Sequence, residues 1–395
     1  MRNVIYIGAF RFPQGDAAAS RVLNNGKLLK ELDYNITFIS WGGEPRQVDR
    51  TEGGYFYDGF KYINTRELDR RDNVLRRLRY HILKGKYTLR YILSEHIIDG
   101  ATKAIIIYNS PLYFSIMIRQ LCNDLGIHLI SDITEWYAPY EYPGGRMAPF
   151  YWLNELNMRF IQKKIKNKIL VSSFLNSYYK ASNNIVLPPL VDSNEKKWQR
   201  KEPLFMPFNG LRLIYAGSSA ENDLIKTMLK VILKCIKGGL RIQLIILGIS
   251  RHEISNFSGL KEIASFPNNF FFCGRVPQEV VPAYYHLSDF SLIIRKRNKK
   301  NMAGFPTKLV ESMMSGCPVI SNDVSDIAEY VKDGYNGYLM TGWSSNELEK
   351  TLRIITNLSR EEIFFMKDNA RRSAEKYFDY SVYINSMINF INHLK

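Results

Sequence analysis

The sequence has few residues that could cross-link the chain or hold a metal ion. Its four cysteines lie far apart in 395 residues and form no Cys-x-x-Cys pair, and its six histidines are dispersed. This usage argues against a disulfide framework and against a zinc site, and it favours a reducing compartment. The cysteines are Cys122, Cys235, Cys273 and Cys317.

Long apolar segments are also absent. No run approaches the roughly 18–20 apolar residues that a membrane-spanning helix needs. The apolar run within MRNVIYIGAFRFPQGD, at the start of the sequence, is too short for a signal peptide. We therefore expect a cytoplasmic protein that associates with a membrane only at its surface.

Acidic residues are scarce relative to basic ones. The sequence has 54 Lys and Arg against 38 Asp and Glu, which gives a formal net charge of +16. Such an excess favours a polyanionic partner, namely nucleic acid, an anionic membrane surface or a phosphorylated ligand. No nucleic-acid recognition motif supports the first of these, so we expect no nucleic-acid partner.

The length and the apolar content predict two domains. A chain of 395 residues is too long for one ordinary core, and 46% hydrophobic residues suffice for two. Two segments begin alike, NVIYIGAF (3–10) and LRLIYAGSS (211–219), each with a β-rich run, a glycine and then a helical pattern. That order starts a doubly wound α/β unit, so the sequence predicts two Rossmann-like domains.

The alternation of strands and helices continues within each half. Short continuous apolar runs between helical patterns are typical of parallel sheets that are covered on both faces. The predicted strands are 36–40, 103–108, 127–133 and 168–173 in the first half, and 242–247, 269–274, 289–295 and 318–323 in the second.

The predicted boundaries follow from these patterns. The N-terminal domain covers 1–190, a linker rich in proline and charge covers 191–210, and the C-terminal domain covers 211–378. A final helix at 379–395 is expected to pack back toward the N-terminal domain. Two such domains in tandem leave a cleft between the carboxyl ends of their strands, where ligands of open α/β sheets bind.

The most informative stretch is AGFPTKLVESMMSGCPVISND, at 303–323. It predicts a helix with Pro306 in its first turn and Gly316 at its end. Lys308 and Glu311 are three residues apart, so they share one side of this helix. The helix N-terminus and Lys308 suit a phosphate, and the two carboxylate oxygens of Glu311 suit two adjacent sugar hydroxyls. The alternative is an ordinary ion pair on a solvated face.

This stretch resembles the donor-binding signature of the family 4 retaining glycosyltransferases, which have the GT-B fold. The likeness rests on Gly304, Phe305 and Glu311, followed by a small-residue run and Gly-Cys-Pro-Val at 316–319. Three further segments resemble the family in the same order along the chain. They are GAFRFPQGDAAASRVLNNGKLLKEL, FFFCGRVPQEVVPAYYHLSDFSLII and IAEYVKDGYNGYLM.

The sequence departs from that family pattern at two places. Ala303 stands where the family has the first of two glutamates, which contacts the donor sugar. Ser218 and Asn222 stand in the loop where the family often has basic residues. The resemblance therefore implies that the donor phosphates are bound elsewhere.

The resemblance implies a donor-binding role for ten residues in all. Arg295 and Lys308 are expected at the phosphates, Glu311 at the ribose hydroxyls and the 304–307 backbone at the phosphate or sugar. Arg295 closes a buried strand and begins the basic cluster RKRNKKN, whose other members are expected to be solvated. The expected donor-binding residues are Gly15, Arg275, Val276, Arg295, Gly304, Phe305, Pro306, Thr307, Lys308 and Glu311.

Three of these candidates have ordinary alternative explanations. Gly15, in the first loop after a strand, would let the backbone approach a diphosphate, but GDAAAS is also a plain helix start. Arg275 and Val276 follow a strand end that takes the nucleobase in the family, but a simple turn would look the same.

Asp132 and Glu135 are the candidate catalytic residues. They follow the strand IHLI in SDITEWYAPYEY, at the expected sheet edge, where the family has a polar residue that contacts the donor sugar or the acceptor. A helix cap is the competing role for either of them.

A basic amphipathic patch lies at 66–93, where Arg and Lys alternate with Leu, Ile and Tyr. Such a patch suits an anionic inner-membrane surface. The alternative is an ordinary helix whose long basic side chains cover the edge of the core.

Together these features predict a GT-B glycosyltransferase. The resemblance implies transfer of a sugar from a nucleotide-diphosphate donor to a glycan or polyprenyl-linked acceptor, with retention and without a metal or other cofactor. The implied setting is bacterial polysaccharide biosynthesis, of O-antigen or capsule, at the cytoplasmic face of the inner membrane. Three alternatives stay open: a non-catalytic nucleotide-sugar-binding protein of the same fold, a nucleotide-sugar 2-epimerase, and a nucleic-acid-binding protein, which would explain the net charge although no recognition motif supports it.

Overall fold

The computed structural model describes residues 2–68, 82–199, 208–217, 223–255 and 261–395. The chain divides into two compact units. Unit 1 contains the residues up to Val191 together with Tyr380–Lys395, and unit 2 contains Asp192–Asp379.

Unit 1 is built on a nine-stranded sheet. Its order is β3-β4-β5-β2-β1-β6-β7-β8-β9, and every neighbouring pair is parallel except those of β4 with β3 and with β5. The strands are β1 Arg2–Arg11, β2 Tyr34–Gly42, β3 Arg50–Thr51, β4 Gly54–Tyr57, β5 Phe60–Asn64, β6 Thr102–Tyr108, β7 His128–Ile133, β8 Asn167–Leu170 and β9 Asn183–Val186.

Unit 2 is built on a six-stranded sheet whose neighbouring strands are all parallel. Its order is β12-β11-β10-β13-β14-β15. The strands are β10 Leu211–Ala216, β11 Ile242–Leu247, β12 Phe270–Gly274, β13 Phe290–Ile293, β14 Val319–Asn322 and β15 Gly337–Met340.

Helices connect the parallel strands, as parallel pairing requires. Those of unit 1 are Ala17–Lys30, Lys86–Ser94, Leu112–Leu125, Pro149–Leu156, the π-helical Asn157–Ile161, Gln162–Lys164, Ser173–Tyr179 and Ile384–Asn392. Those of unit 2 are Ile225–Lys237, Arg251–Ser255, Val281–Leu287, Lys299–Ala303, Thr307–Met314, Ile327–Tyr330, Ser345–Ile355 and Arg360–Phe378. None of the helices in the described ranges is long and apolar enough to span a bilayer.

The predicted pair of doubly wound α/β sheets is confirmed, and a strand lies at each of the eight predicted positions. The cleft between the two domains stays a prediction. The C-terminal helix packs into unit 1, where Met387 and Phe390 join its core. The side-chain amide of Asn183 donates to the Phe390 carbonyl at 3.0 Å, which fixes this helix against β9.

Both faces of each sheet are buried, and this explains the continuous apolar runs. In β1, Val4 and Tyr6 belong to one core cluster, whereas Ile5 and Ile7 belong to the cluster on the opposite face. Successive side chains of a strand point to opposite faces, so a sheet covered on both faces needs apolar residues at every position.

Lys168 is a charged side chain within this apolar surrounding. Lys168, in β8, is fully buried, and its ammonium donates to the Ile165 carbonyl and lies 5.3 Å from the centre of the Tyr179 ring. Burial lowers the pKa of Lys168 to about 8. The folded protein therefore disfavours the protonated, charged form of Lys168, which the unfolded chain retains up to about pH 10.

We expect the substitution Lys168→Met to raise the free energy of unfolding at pH 7 by up to about 3 kcal/mol. The unfolded chain binds more protons than the folded one between pH 8 and 10, so wild-type stability gains on the variant as pH rises through this window. Urea unfolding of wild type and Lys168→Met at pH 7, 8, 9 and 10 measures the difference between their free energies of unfolding. A difference that stays constant with pH would contradict the lowered pKa of Lys168.

Candidate functional site

The best-formed polar cluster of unit 2 lies at the carboxyl end of its sheet and is organised by Asp223. This buried carboxylate accepts hydrogen bonds from the Tyr215 hydroxyl at 3.0 Å and from Arg295 Nε at 2.6 Å. It also accepts from Lys308 Nζ. The cluster therefore joins the ends of β10 and β13 to the first turn of helix Thr307–Met314.

The geometry of the cluster also explains why residue 217 is a glycine. Lys308 Nζ lies 4.5 Å from the centre of the Tyr215 ring. A Cβ at Gly217 would come within 2.6 Å of the same nitrogen, so a side chain at this position would require the lysine ammonium to shift. The glycine that ends β10 in the sequence pattern thus serves the approach of Lys308.

The three charges set one another's protonation. Burial alone would raise the pKa of Asp223, but Lys308 and Arg295, by charge and by hydrogen bonding, hold it well below its usual range. Burial lowers the pKa of Lys308, the charge of Asp223 opposes this, and the charge of Arg295 adds to it. When all three are ionised, two cations and one anion leave the cluster with one net positive charge.

Both cations predicted to bind phosphate are present in this cluster, but the carboxylate that they share was not predicted from the sequence. Two buried-type cations at one sheet edge require a counter-ion, and the loop after β10 carries Glu221 and Asp223. The need for this counter-ion was the signal from which the carboxylate could have been predicted. Ser218 and Asn222, which stand in this loop where the resembling family often has basic residues, lie outside the described residues.

Glu311 lies one turn further along the same helix and is half-buried. Burial raises its pKa, while the charge of Lys197, a hydrogen bond from Gln278 and the charge of Lys308 oppose the rise. The ion pair of Lys308 is formed with Asp223. The alternative of a plain ion pair between Lys308 and Glu311 is therefore not what the structure shows.

The residues before the helix have structural roles. The Gly304 N–H donates to the Lys300 carbonyl at 3.0 Å, and the Gly304 carbonyl accepts from Ser325 Oγ at 2.6 Å. The Phe305 ring is buried against Tyr330, with ring centres 5.6 Å apart. The Gly304 N–H and one lone pair of its carbonyl are thus used within the protein, and the contact of this backbone with the donor stays a prediction.

The helix itself begins one residue later than predicted. Pro306 is the N-cap residue, with φ −75° and ψ 104°, and Thr307 is the first helical residue. The first N–H groups of a helix have no partner within it. The helix N–H groups available for an anion are therefore those of Thr307 and Lys308, one of which lies within the predicted 304–307 backbone site and one just beyond it.

Arg275 and Val276 follow β12 but differ in their surroundings. Arg275 is exposed, whereas Val276 packs against a core cluster that includes Ile214 and Tyr285. The carbonyl of Gly274 accepts the Gly248 N–H at 2.6 Å. The role of this strand end in binding a base stays a prediction.

In unit 1, Asp132 is fully buried at the end of β7 and both of its oxygens have partners. Arg21 Nη2 donates to it at 2.8 Å and Arg21 Nε at 3.0 Å, and the Tyr6 hydroxyl also donates to it. Arg21 Nη1 donates onward to the Leu187 carbonyl at 3.0 Å. This geometry gives Asp132 a structural role in fixing β7 against Arg21, and its catalytic role stays a prediction.

Glu135 differs from Asp132 because it is exposed. Its negative charge, followed by burial of the phenol, raises the pKa of Tyr137, which also hydrogen-bonds to Glu135. An accessible carboxylate thus lies at the carboxyl edge of the unit 1 sheet, two residues beyond β7. Its catalytic role stays a prediction.

Gly15 is explained by the turn that contains it. Its N–H donates to the Arg11 carbonyl at 2.8 Å, and a Cβ would lie 2.4 Å from Arg11 Cβ. Asp16 then caps helix Ala17–Lys30 by accepting the Ala19 N–H at 2.8 Å. The ordinary helix-start explanation therefore accounts for this segment, and the predicted approach to a diphosphate is not needed.

The predicted basic patch at 66–93 lies partly outside the described residues, which omit 69–81. Within the described part, Glu67 is buried and accepts the N–H groups of Gly85 and Thr88 at 2.9 and 3.0 Å. It thereby fixes the start of helix Lys86–Ser94.

Residues 210–357 match the family described as glycosyl transferases group 1. Unit 2 is built around a group 1 glycosyltransferase domain. The cluster of Asp223, Arg295 and Lys308 lies at the carboxyl edge of this sheet, within the matched residues. The sequence matches no curated protein closely enough to count as a relative.

Solved glycosyltransferase structures share the fold over the whole chain. A sucrose-phosphate synthase from Thermosynechococcus elongatus is 15% identical, with a TM-score of 0.72 over 99% of this chain and 98% of that one. HepE from Anabaena, in complex with UDP and glucose, is 12% identical, with a TM-score of 0.70 over 100% of both chains. WaaG, a glycosyltransferase involved in lipopolysaccharide biosynthesis, is 14% identical, with a TM-score of 0.66 over 99% and 100%. At these identities the likeness shows the GT-B fold.

We expect Asp223→Asn to destabilise the protein by about 3–5 kcal/mol, because it leaves two buried cations without their anion. The control is Asp323→Asn, whose ion pair with Arg297 is about half exposed, and which should cost less than about 1 kcal/mol. Thermal unfolding at pH 7 compares the two variants. Equal costs would contradict the assigned role of Asp223.

The difference in stability between wild type and Asp223→Asn should also depend on pH. The pKa of Asp223 is lower in the folded protein than in the unfolded chain. Its stabilisation is therefore complete above about pH 4, and it is lost as pH falls further toward the folded-state pKa. The difference between wild type and Asp223→Asn should shrink as the pH falls below 4.

Proposed function

We propose that this glycosyltransferase transfers a sugar from a nucleotide-diphosphate donor to a hydroxyl of a glycan or lipid-linked oligosaccharide. The observation that supports this most directly is the cluster of Arg295, Lys308 and Asp223 at the start of helix Thr307–Met314, inside the matched glycosyltransferase domain. It combines net positive charge with helix N–H groups at a sheet edge where ligands of this fold class bind.

The proposed phosphate site is on the rim of this cluster. The side chains of Arg295 and Lys308 are 12% and 13% exposed, whereas that of Asp223 is 5% exposed. Asp223 thus holds the cations from the inside, and a diphosphate approaches them from the outside. The N–H groups of Thr307 and Lys308 and the dipole of their helix add to the same attraction.

Glu311 is proposed to bind the donor ribose. It lies one helical turn from Lys308, and a carboxylate can accept from two vicinal hydroxyls at once. Burial raises the pKa of Glu311, because its ionised carboxylate has lost contact with water. Ribose hydroxyls that donate to the carboxylate would replace this water and stabilise the ionised form.

The proposed chemistry relies on this chain's own cations. The diphosphate leaving group gains negative charge as the sugar departs, and preorganised cations and helix N–H groups stabilise such charge. The proposal needs no metal ion or cofactor, and it includes retention at the anomeric carbon. Glu135 is the proposed catalytic residue of unit 1, since it is an accessible carboxylate.

The finer proposal places the enzyme in bacterial polysaccharide biosynthesis, peripheral to the cytoplasmic face of the inner membrane. The family match and the likeness to WaaG, a glycosyltransferase involved in lipopolysaccharide biosynthesis, support this setting. The net charge of +16 favours an anionic surface, and the 66–93 patch is one proposed contact.

One observation favours a second candidate, a nucleotide-sugar-binding protein without turnover. Ala303 stands in place of the first glutamate of the donor signature, and it is fully buried. No carboxylate is supplied at that position.

Alanine substitutions test the donor site. We expect Arg295→Ala, Lys308→Ala and Glu311→Ala each to weaken donor binding at least about tenfold, since each removes a charge-assisted contact of about 1.5–3 kcal/mol. Thermal-shift screening with UDP-, GDP- and dTDP-sugars identifies the donor, and calorimetry then measures its affinity. Arg297→Ala, in the exposed part of the same basic loop, is the matched control. Unchanged affinity in all three variants would refute the site.

A separate experiment tests catalysis. We expect Glu135→Gln to lower kcat at least about tenfold while donor affinity and melting temperature stay unchanged, as for a group acting on the reacting atoms. Asp132→Asn should instead lower the melting temperature, because it breaks a fully buried ion pair. Donor binding without transfer or hydrolysis, in the presence of a lipid-linked acceptor, would favour the binding protein over the enzyme.

A further inference from the structure

Unit 1 contains a continuous helical segment whose outer face is unusually apolar. The segment runs through Pro149–Leu156, Asn157–Ile161 and Gln162–Lys164. Its inner face is buried and includes Tyr151, Glu155 and Met158. These buried side chains attach the segment to the core of unit 1.

The outer face carries an apolar stripe. Trp152, Leu156 and Phe160 are spaced four residues apart and are 55%, 46% and 58% exposed, and Met147, just before the segment, is 90% exposed. Residues four apart lie on one side of a helix. A contiguous stripe of this kind is uncommon on a soluble surface and marks an interaction site. We call these four residues the apolar stripe.

The stripe is surrounded by positive charge. Residues 146–166 contain five basic residues and one acidic residue, Glu155. The acidic one is buried and pairs with Arg159 at 2.8 Å, whereas all the basic ones are exposed. The exposed basic residues are Arg146, Arg159, Lys163, Lys164 and Lys166.

Several side chains of this face are held in place. Trp152 Nε1 donates to the Arg146 carbonyl at 2.8 Å, so the polar atom of the indole is satisfied while the ring stays exposed. Lys163 Nζ lies 4.6 Å from the centre of the Tyr178 ring. The face therefore presents its apolar and basic groups in a fixed arrangement.

We propose that this face docks on an anionic lipid bilayer. The apolar stripe enters the boundary between headgroups and acyl chains, and the surrounding Lys and Arg side chains contact lipid phosphates. A tryptophan and a phenylalanine beside lysines and arginines match the chemistry of that boundary better than that of a protein surface, since acidic groups are absent from the exposed side chains of 146–166. The inference rests on the membrane partner of the proposed function and assigns it to a surface distinct from 66–93.

Co-sedimentation of the full chain with vesicles tests the surface. Vesicles of phosphatidylcholine with about 30% phosphatidylglycerol should bind the protein at low salt, and binding should fall as salt rises. The triple variant Trp152→Ser, Leu156→Ser, Phe160→Ser should bind at least tenfold more weakly. Lys163→Glu with Lys164→Glu should also weaken binding, by about fivefold or more for each lysine.

Two matched controls locate the contact. Phe364→Ser removes a phenylalanine of unit 2 that is 74% exposed and should leave binding unchanged. Leu93→Ser removes an exposed residue of the 66–93 patch and should have little effect. Loss of binding in Leu93→Ser but not in the triple variant would overturn this inference while leaving the membrane partner intact.

Brominated lipids test insertion. They quench tryptophan fluorescence only near the acyl chains, so quenching should be strong in wild type and in Trp343→Phe but lost in Trp152→Phe. Trp343, in unit 2, is a partly exposed reference. Binding without quenching would overturn the insertion of the stripe.

Two further outcomes would also overturn the proposal. One is no binding to anionic vesicles at low salt. The other is a dimer by light scattering that dissociates in the triple variant without any vesicle binding, which would make the face a self-association surface. Donor affinity, measured on the same variants, should not change. A wild type that binds vesicles but no nucleotide sugar would refute the donor proposal and leave this surface standing.

Discussion

The candidate site depends on one carboxylate that two cations share. Asp223 connects the end of β10 to Arg295 beyond β13 and to Lys308 in helix Thr307–Met314. Without this anion the two cations would repel each other at a sheet edge that is largely closed to water. With it, they stay side by side at the rim with one net positive charge, which is the arrangement that an anionic ligand requires. The glycine at 217 and the Tyr215 ring shape the same space.

Unit 1 has a comparable ion pair with a different consequence. Asp132 and Arg21 lie at the carboxyl end of its sheet, but their side chains are 0% and 4% exposed. Such a pair fixes β7 against helix Ala17–Lys30 and leaves no charge at the surface. The position of a polar residue after a strand therefore does not decide between a structural and a functional role. The role depends on whether part of the charged group remains accessible to a ligand.

The signature stretch at 303–323 divides in the same way. Gly304 and Phe305 support the helix from behind, through the Ser325 hydrogen bond and the packing on Tyr330. Lys308 and Glu311 lie on the accessible side of the helix. Gly304 and Phe305 thus have a structural role and orient the helix N-terminus. Lys308 and Glu311 are placed where they could bind a ligand. In unit 1, the segment 146–166 likewise separates a buried face that attaches it to the core from an exposed apolar one.

The sequence by itself determined the two parallel sheets, because strands buried on both faces need continuous apolar runs that are visible locally. It also indicated the helix with Lys308 and Glu311, since local spacing places them on one side. Only the tertiary structure decided which charges pair. Asp223 is 72 residues from Arg295 and 85 from Lys308, and Asp132 is 111 from Arg21. The sheets bring such residues together, and their burial then sets their roles, so no local pattern could reveal that Asp132 is enclosed while Arg295 and Lys308 remain at the rim.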